Sequence, residues 1–185
     1  MMMRLPLPLL LITLLLACGA GRVGASGVHL VIDTTAGSLT VLNGDTVIRV
    51  YPDISVGRYG VTSLKRQGDN KTPLGNFRIG WITGNSRYYR FLGLNYPDLE
   101  TASRAFHNGL INKQEWLDIR HAIRSGDPPP QGTVLGGQIG IHGIGEGEPD
   151  IHREFNWTNG CVALTNEEID ELLGWVQIGT PVEIR

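Results

Sequence analysis

Two side chains in this sequence have the right types to carry out nucleophilic chemistry together. Cys161 is the only cysteine beyond residue 18, and His142 ends the alternating run Gln138-Ile139-Gly140-Ile141-His142-Gly143. A thiol attacks as its thiolate, and an imidazole within reach is a common base for it. Ile139 and Ile141 fall on one face of an extended run and His142 on the other. Gly143 leaves its carbonyl approachable, and a carbonyl that accepts from Nδ1 leaves Nε2 to face the thiol. The backbone N–H groups of Asn159, Gly160 and Cys161 are candidates for an oxyanion hole. The imidazole and these amides are expected to lower the thiol pKa. Nucleophile, base and oxyanion donors together are what acyl transfer needs. Each residue alone has a plainer reading, a buried inert thiol and a satisfied structural histidine. Their occurrence in one Gly-rich stretch favours the catalytic one. Zinc ligation by Cys161, His142, His152 and Asp150 fits no finger or ribbon spacing, so neither metal nor other cofactor is expected.

The elements that must position this pair are mostly strands. Residues 29–34, 38–42 and 46–51 alternate as strands. Thr35-Ala36-Gly37 and Asn43-Gly44 join them as tight turns in an antiparallel meander. Residues 53–60 read as a short extended piece, and the charged stretch 65–71 as an exposed loop. Residues 76–82 and 88–94 read as further strands, and 138–141 as the strand leading to His142. Residues 98–130 read as a helical insertion. Asp98 caps one helix, Asn112 caps a second with Glu115 three residues on, and Pro128-Pro129-Pro130 forms a stiff loop. The acidic residues Glu146, Glu148, Asp150 and Glu154 read as a solvated loop. Thr165-Asn166-Glu167-Glu168 is a capping box that opens a helix with Ile169, Leu172, Leu173 and Val176 on one face, ending near Gly179. Residues 181–185 form a closing strand. The sum is a mostly-β domain of mixed sheets with a few helices, one domain over residues 28–185.

Bulk properties narrow the partners. The chain has 185 residues, 25 of them Gly, and a formal net charge of −2. No basic surface calls for nucleic acid. Arg4 followed by the apolar run 5–17 has the form of a secretory signal and is short for a membrane span. Residues 1–25 are therefore expected to be a signal with a short tether, and the mature protein exported to the periplasm or cell envelope. Leu15-Leu16-Ala17-Cys18 resembles a bacterial lipobox, which would tether the protein to the membrane through lipidated Cys18. Val23-Gly24-Ala25 offers a second cleavage site. By either exit Cys161 loses any disulfide partner, and a lone exported thiol is a liability unless it is buried or used.

His142, fifteen intervening residues, and then Thr158-Asn159-Gly160-Cys161-Val162 resemble the signature of the L,D-transpeptidase catalytic domain. Thr72-Pro73-Leu74-Gly75-Asn76-Phe77 is similar to that family's Thr-Pro-x-Gly-x-aromatic turn. Asn95-Tyr96-Pro97 resembles its Tyr-Pro segment, and Gly179-Thr180-Pro181-Val182 its closing strand. The resemblance implies a mixed β-sandwich with a helical insertion and a helix after the Cys loop. It implies attack by Cys161 on a peptidoglycan stem peptide, proton relay by His142 oriented by the Gly143 carbonyl, and an acyl-enzyme resolved by an amine or by water. Transpeptidase, carboxypeptidase and hydrolase activities all occur under that pattern. Many members carry His where Asn159 stands and Arg or Asn where Ala163 stands. Ala163 cannot bind a stem carboxylate, so the anchor passes to Arg153, Tyr96 and Thr158 as candidates. The same departure leaves a non-catalytic peptidoglycan-binding lipoprotein as the alternative.

Overall fold

The alternating segments near the start pair as their patterns require. The structure, a computed structural model, describes residues 27–185. The signal, Cys18 and nearly all of the tether lie outside those residues. Strands β1 (Val28–Asp33), β2 (Ser38–Asn43) and β3 (Thr46–Tyr51) form the meander. Leu30 pairs with Val41 and Ile32 with Leu39, and all four side chains are fully buried. The turns fall on Gly37 and Gly44, both in the left-handed region, where only glycine avoids a steric cost. Two short strands, β4 (Val61–Thr62) and β5 (Thr72–Pro73), pair in parallel beside the main sheet.

The strand β6 (Gly75–Ser86) is twelve residues long and belongs to both halves of the main sheet. It is followed by β7 (Tyr89–Leu94), the helices α1 (Leu99–His107) and α2 (Lys113–Ser125), and the short strand β8 (Gly140–His142). The helix α3 (Pro149–Glu154), the strand β9 (Val162–Ala163), the helix α4 (Asn166–Leu173) and the strand β10 (Pro181–Ile184) complete the chain. The strand order is β3-β2-β1-β10-β6-β7-β8-β9. β10 lies parallel to β1 and antiparallel to the first residues of β6, while the rest of β6 pairs with β7. Residues beyond β3 then return to the far edge. Ser55 and Ala163 exchange both backbone hydrogen bonds, at 3.1 and 2.8 Å, so the segment after β3 covers the outer edge of β9. The halves share one apolar core, from Leu30, Ile32 and Tyr51 across to Leu92, Ile141 and Val162. A smaller core of Ala102, Ala105, Ile111, Ile119 and Leu135 lies under the helical insertion.

The caps fall where the sequence placed them. Asp98 accepts from the Thr101 amide, and Asn112 and Thr165 form full capping boxes with Glu115 and Glu168. Other expectations need correction. β6 runs four residues past 82, as far as Ser86. Gln138 is not in a strand, because its φ of 54° is left-handed; the strand begins at Gly140. The acidic connection contains α3, with Pro149 in its first turn, where a missing N–H costs nothing. The last helix stops at Leu173, with Gly174 as its C-cap. The largest departure is in 65–71, which was expected to be exposed. Lys65 is only 3% exposed and its ammonium bonds to Asp69 at 2.6 Å.

The α4 capping box directly follows the Cys161 segment, so it sets where that segment ends. Thr165→Ala removes the acceptor for the Glu168 amide and is expected to cost about 1 kcal/mol. Chemical denaturation with an unchanged m-value is the measurement.

Candidate active site

His142 ends β8, an interior strand held by β7 on one side and β9 on the other. Its register sets the imidazole opposite Phe91. The ring is 1% exposed. It stacks on Tyr88 with centroids 4.4 Å apart, lies parallel to Phe91 at 6.2 Å, and meets Trp157 edge-on at 5.7 Å. Nδ1 lies 2.7 Å from the Gly143 carbonyl. A carbonyl only accepts, so Nδ1 carries the proton and Nε2 is the basic nitrogen of the neutral ring. Burial dominates the titration. It pushes the imidazole down to about 4, against a smaller opposing effect of the Gly143 hydrogen bond.

Gly143 is required by proximity rather than by a turn. A Cβ there would sit 2.5 Å from Asn166 Oδ1 and 3.2 Å from both Ile169 Cγ2 and the Tyr88 carbonyl. Asn166 is itself a clamp. Its amide accepts from the Gly145 N–H at 2.9 Å and donates to the Gly145 carbonyl at 2.8 Å. The sequence offered it only as a first-turn residue of α4, because a contact 21 residues away leaves no local pattern.

Cys161 sits between the Thr158-Asn159-Gly160 turn and β9. Thr158 holds the turn closed. Its hydroxyl donates to the Cys161 carbonyl at 2.7 Å and accepts the Gly160 N–H at 3.1 Å. That amide is therefore committed within the turn, unlike the expectation that it faces the oxyanion. The thiol donates to the Gln138 carbonyl at 3.3 Å rather than to His142. Burial pushes it up to about 11, outweighing the opposing effects of the Gly140 backbone and of Lys65. This reverses the expectation of a lowered thiol pKa. The imidazole beside it is neutral, so it supplies no positive charge to favour thiolate.

His142 and Cys161 line one cleft of about 630 Å³, with Gln138, Thr158, Asn159, Tyr88 and Trp157 among the other walls. Three cations, Arg58, Lys65 and Arg87, reach it, and among the described residues no carboxylate lines it. Arg58 is held by the Trp157 carbonyl at 3.2 Å and Asn159 Oδ1 at 2.7 Å. Arg87 is exposed and stacks over Tyr88 at 4.9 Å.

Two anchor candidates from the sequence lie away from this cleft. Tyr96 is fully buried, and its hydroxyl donates to the Leu135 carbonyl at 3.1 Å. Arg153 is exposed on α3 and pairs with Asp150 at 2.7 Å. Ala163 is fully buried in β9, so a small side chain fills a packed position there. His152 is also buried, 3.4 Å from the Trp157 indole nitrogen. Among the described residues no three His, Cys, Asp or Glu side chains converge as a metal site.

The family model described as the L,D-transpeptidase catalytic domain matches residues 27–184. The chain belongs to this family. Solved structures agree in fold. Bd1075 of Bdellovibrio bacteriovorus superposes with a TM-score of 0.55 at 20% identity, over 86% of this chain and 48% of that one. Pgp2 of Campylobacter jejuni, described as a helical cell shape determining protein, gives 0.57 at 19% identity, over 89% and 52%. An L,D-transpeptidase of Xylanimonas cellulosilytica gives 0.50 at 17%, over 89% and 63%. The chain thus spans about half the length of the first two and under two thirds of the third. A search of curated proteins finds no match to the sequence.

The depressed His142 pKa makes a stability prediction independent of substrate. The unfolded ring titrates near its ordinary 6.5 and the folded ring near 4. The neutral form is favoured on folding, so this stability is complete above 6.5 and is lost as pH falls through 4. Its full size is about 3 kcal/mol at roughly 1.36 kcal/mol per unit. Urea unfolding of His142→Gln should show a shallower fall in stability between pH 6.5 and 4 than the unaltered protein.

Proposed function

We propose that this chain is an exported cysteine acyltransferase that acts on peptidoglycan stem peptides. The observation that carries the reading is a thiol and a tautomer-fixed imidazole lining one cleft in a chain of the L,D-transpeptidase family. Cys161 Sγ leaves its contact with Gln138 and attacks the carbonyl of the amide between the third and fourth stem residues. The thiol proton passes to His142 Nε2. The oxyanion is received by the amides of Asn159 and Cys161. When the C–N bond breaks, the proton on His142 goes to the departing amine of the terminal D-residue and a thioester remains. An amine of a second stem or a water then attacks the thioester, His142 takes its proton, and the thiol is released.

Desolvation suits this sequence of events. A base kept neutral at physiological pH is ready to accept a proton, and a thiol protonated at rest resists adventitious oxidation in an exported setting. The cations fit the substrate class. Stem peptides carry free carboxylates, and Arg58 and Arg87 offer charge at a cleft without lining acids. These two take over the anchoring that Ala163, Arg153 and Tyr96 cannot provide from where they sit. Thr158 shapes the turn rather than binding the stem. The N-terminal segment gives the route of export, with Cys18 as the membrane tether if the lipobox is used; the mass of the mature N-terminus distinguishes the two cleavage sites.

Incubation of the purified protein with defined tetrapeptide muropeptides should yield either cross-linked dimers or trimmed stems, identified by mass. Cys161→Ala is expected to abolish product while remaining folded; unchanged product would overturn the mechanism. A carbapenem-type β-lactam should leave an acyl adduct on Cys161, and a folded protein without one would favour the binding module. Arg87→Ala should raise KM roughly tenfold with little change in kcat, the size of one charge-assisted contact made equally in ground and transition states.

A further inference from the structure

A charge buried directly behind the nucleophile's turn is left unexplained by this mechanism. Lys65 comes from the loop before β5, far from Cys161 in sequence, yet its side chain is almost completely enclosed. Its ammonium has three N–H donors and three acceptors: Asp69 Oδ1 at 2.6 Å, the Lys71 carbonyl at 2.9 Å and the Asn159 carbonyl at 3.4 Å. The last of these belongs to the turn that carries Cys161. Gly160 makes room for the approach. A Cβ at that residue, whose φ is 128°, would lie 2.9 Å from Lys65 Nζ and 2.6 Å from the Lys71 carbonyl. The same lysine lines the cleft with Cys161.

Asp69 is organised to hold this cation. Its carboxylate accepts from Lys65 Nζ and from the amides of Arg66 and Lys71, at 2.6, 2.8 and 3.0 Å. Burial alone would raise its pKa, but these hydrogen bonds outweigh burial and keep it below its ordinary value. Burying a charge is costly unless it is fully paired and bonded. A surface loop gains nothing obvious from such an arrangement, whereas a thiolate forming at Cys161 is favoured by a nearby positive charge.

We propose that Lys65 is a positioning residue for the nucleophile: it holds the Asn159-Gly160-Cys161 turn from behind and supplies the fixed positive charge against which the Cys161 thiolate forms. The other charged groups around the thiol do not serve this role. His142 is neutral above about pH 4. Arg58 is tied to the Trp157 carbonyl and Asn159 at the exposed rim, and Arg87 lies over Tyr88. Asp69 is the one carboxylate of the network, and it partly offsets Lys65. The proposal rests on Cys161 as the reactive thiol, but its test needs no substrate, so it fails separately from the transpeptidase reading.

The test is the pH profile of iodoacetamide alkylation of the full-length protein, read at Cys161 by peptide mass. Lys65→Met should move the midpoint upward by about one pH unit, an approximately tenfold loss of rate below the midpoint. Lys65→Arg should restore most of that loss. Asp69→Asn should move the midpoint downward, because the remaining cation is no longer offset. Opposite shifts for Lys65→Met and Asp69→Asn identify an electrostatic role, since loosening of the loop alone would move both the same way. An unchanged midpoint in folded Lys65→Met, or shifts of the same sign, would overturn the proposal. If Lys65→Met does not fold, Asp69→Asn decides alone: a downward shift supports the proposal, and no shift or an upward one overturns it.

Discussion

The enclosure of His142, beside a partly exposed Cys161 at the cleft, is the constraint on which the rest of the site depends. The imidazole is enclosed by Tyr88, Phe91 and Trp157, and burial drives its pKa down and the thiol's up. Both shifts favour the neutral forms, so the resting pair is thiol and imidazole rather than an ion pair. The polar groups at the site must then be satisfied internally. The Nδ1 proton goes to Gly143, the thiol proton to Gln138, and the Gly160 amide to Thr158. A charge as enclosed as that of Lys65 is screened less than one in water, which gives weight to a single buried lysine.

Such packing demands that backbone approach backbone, and two glycines make it feasible. Gly143 lets Asn166, Ile169 and the Tyr88 carbonyl close around His142. Gly160 lets Lys65 and the Lys71 carbonyl close behind the turn that carries Cys161. His142 and Cys161 are thereby each buttressed by a different part of the chain, α4 in one case and the loop before β5 in the other. β6 links these parts, because it pairs with β10 at one end and with β7, the neighbour of His142's strand, at the other.

Local chemistry made much of this legible in the sequence. The alternation of the first three strands, the turn glycines and the three caps at Asp98, Asn112 and Thr165 follow from short-range rules, and they fall within a residue or so of the observed elements. That His142 and Cys161 come to line one cleft was legible from residue type and spacing. What sequence patterns did not reveal is set by contacts that leave no periodic signal. Gln138 takes a left-handed backbone where alternation suggested a strand, and its N–H is held at 2.7 Å by Oε1 of Gln131, the residue just after the proline loop. β9 is two residues long and exists only because β8 and Ser55 flank it. The acidic stretch hides α3 because its polarity masks a short helix with a proline start.

The charge-rich stretch 65–71 shows the limit of polarity as a guide to burial. Lys, Arg, Gln, Gly, Asp, Asn and Lys in succession have the composition of a solvated loop, and six of the seven residues are at least partly exposed. Burial of Lys65 is tolerated only because Asp69, four residues on, and two carbonyls meet its three donors. That geometry cannot be read from composition, yet it sets a buried positive charge against the turn that carries Cys161. Ala163 is buried in β9, paired with His142 on one side and Ser55 on the other, and carries no charge of its own. Positive charge reaches the cleft instead from positions 58, 65 and 87, which lie on loops and strand ends that the fold gathers around Cys161. Where the common family pattern has a polar or charged residue beside Cys161, this chain brings charge to the cleft from other parts of the sequence.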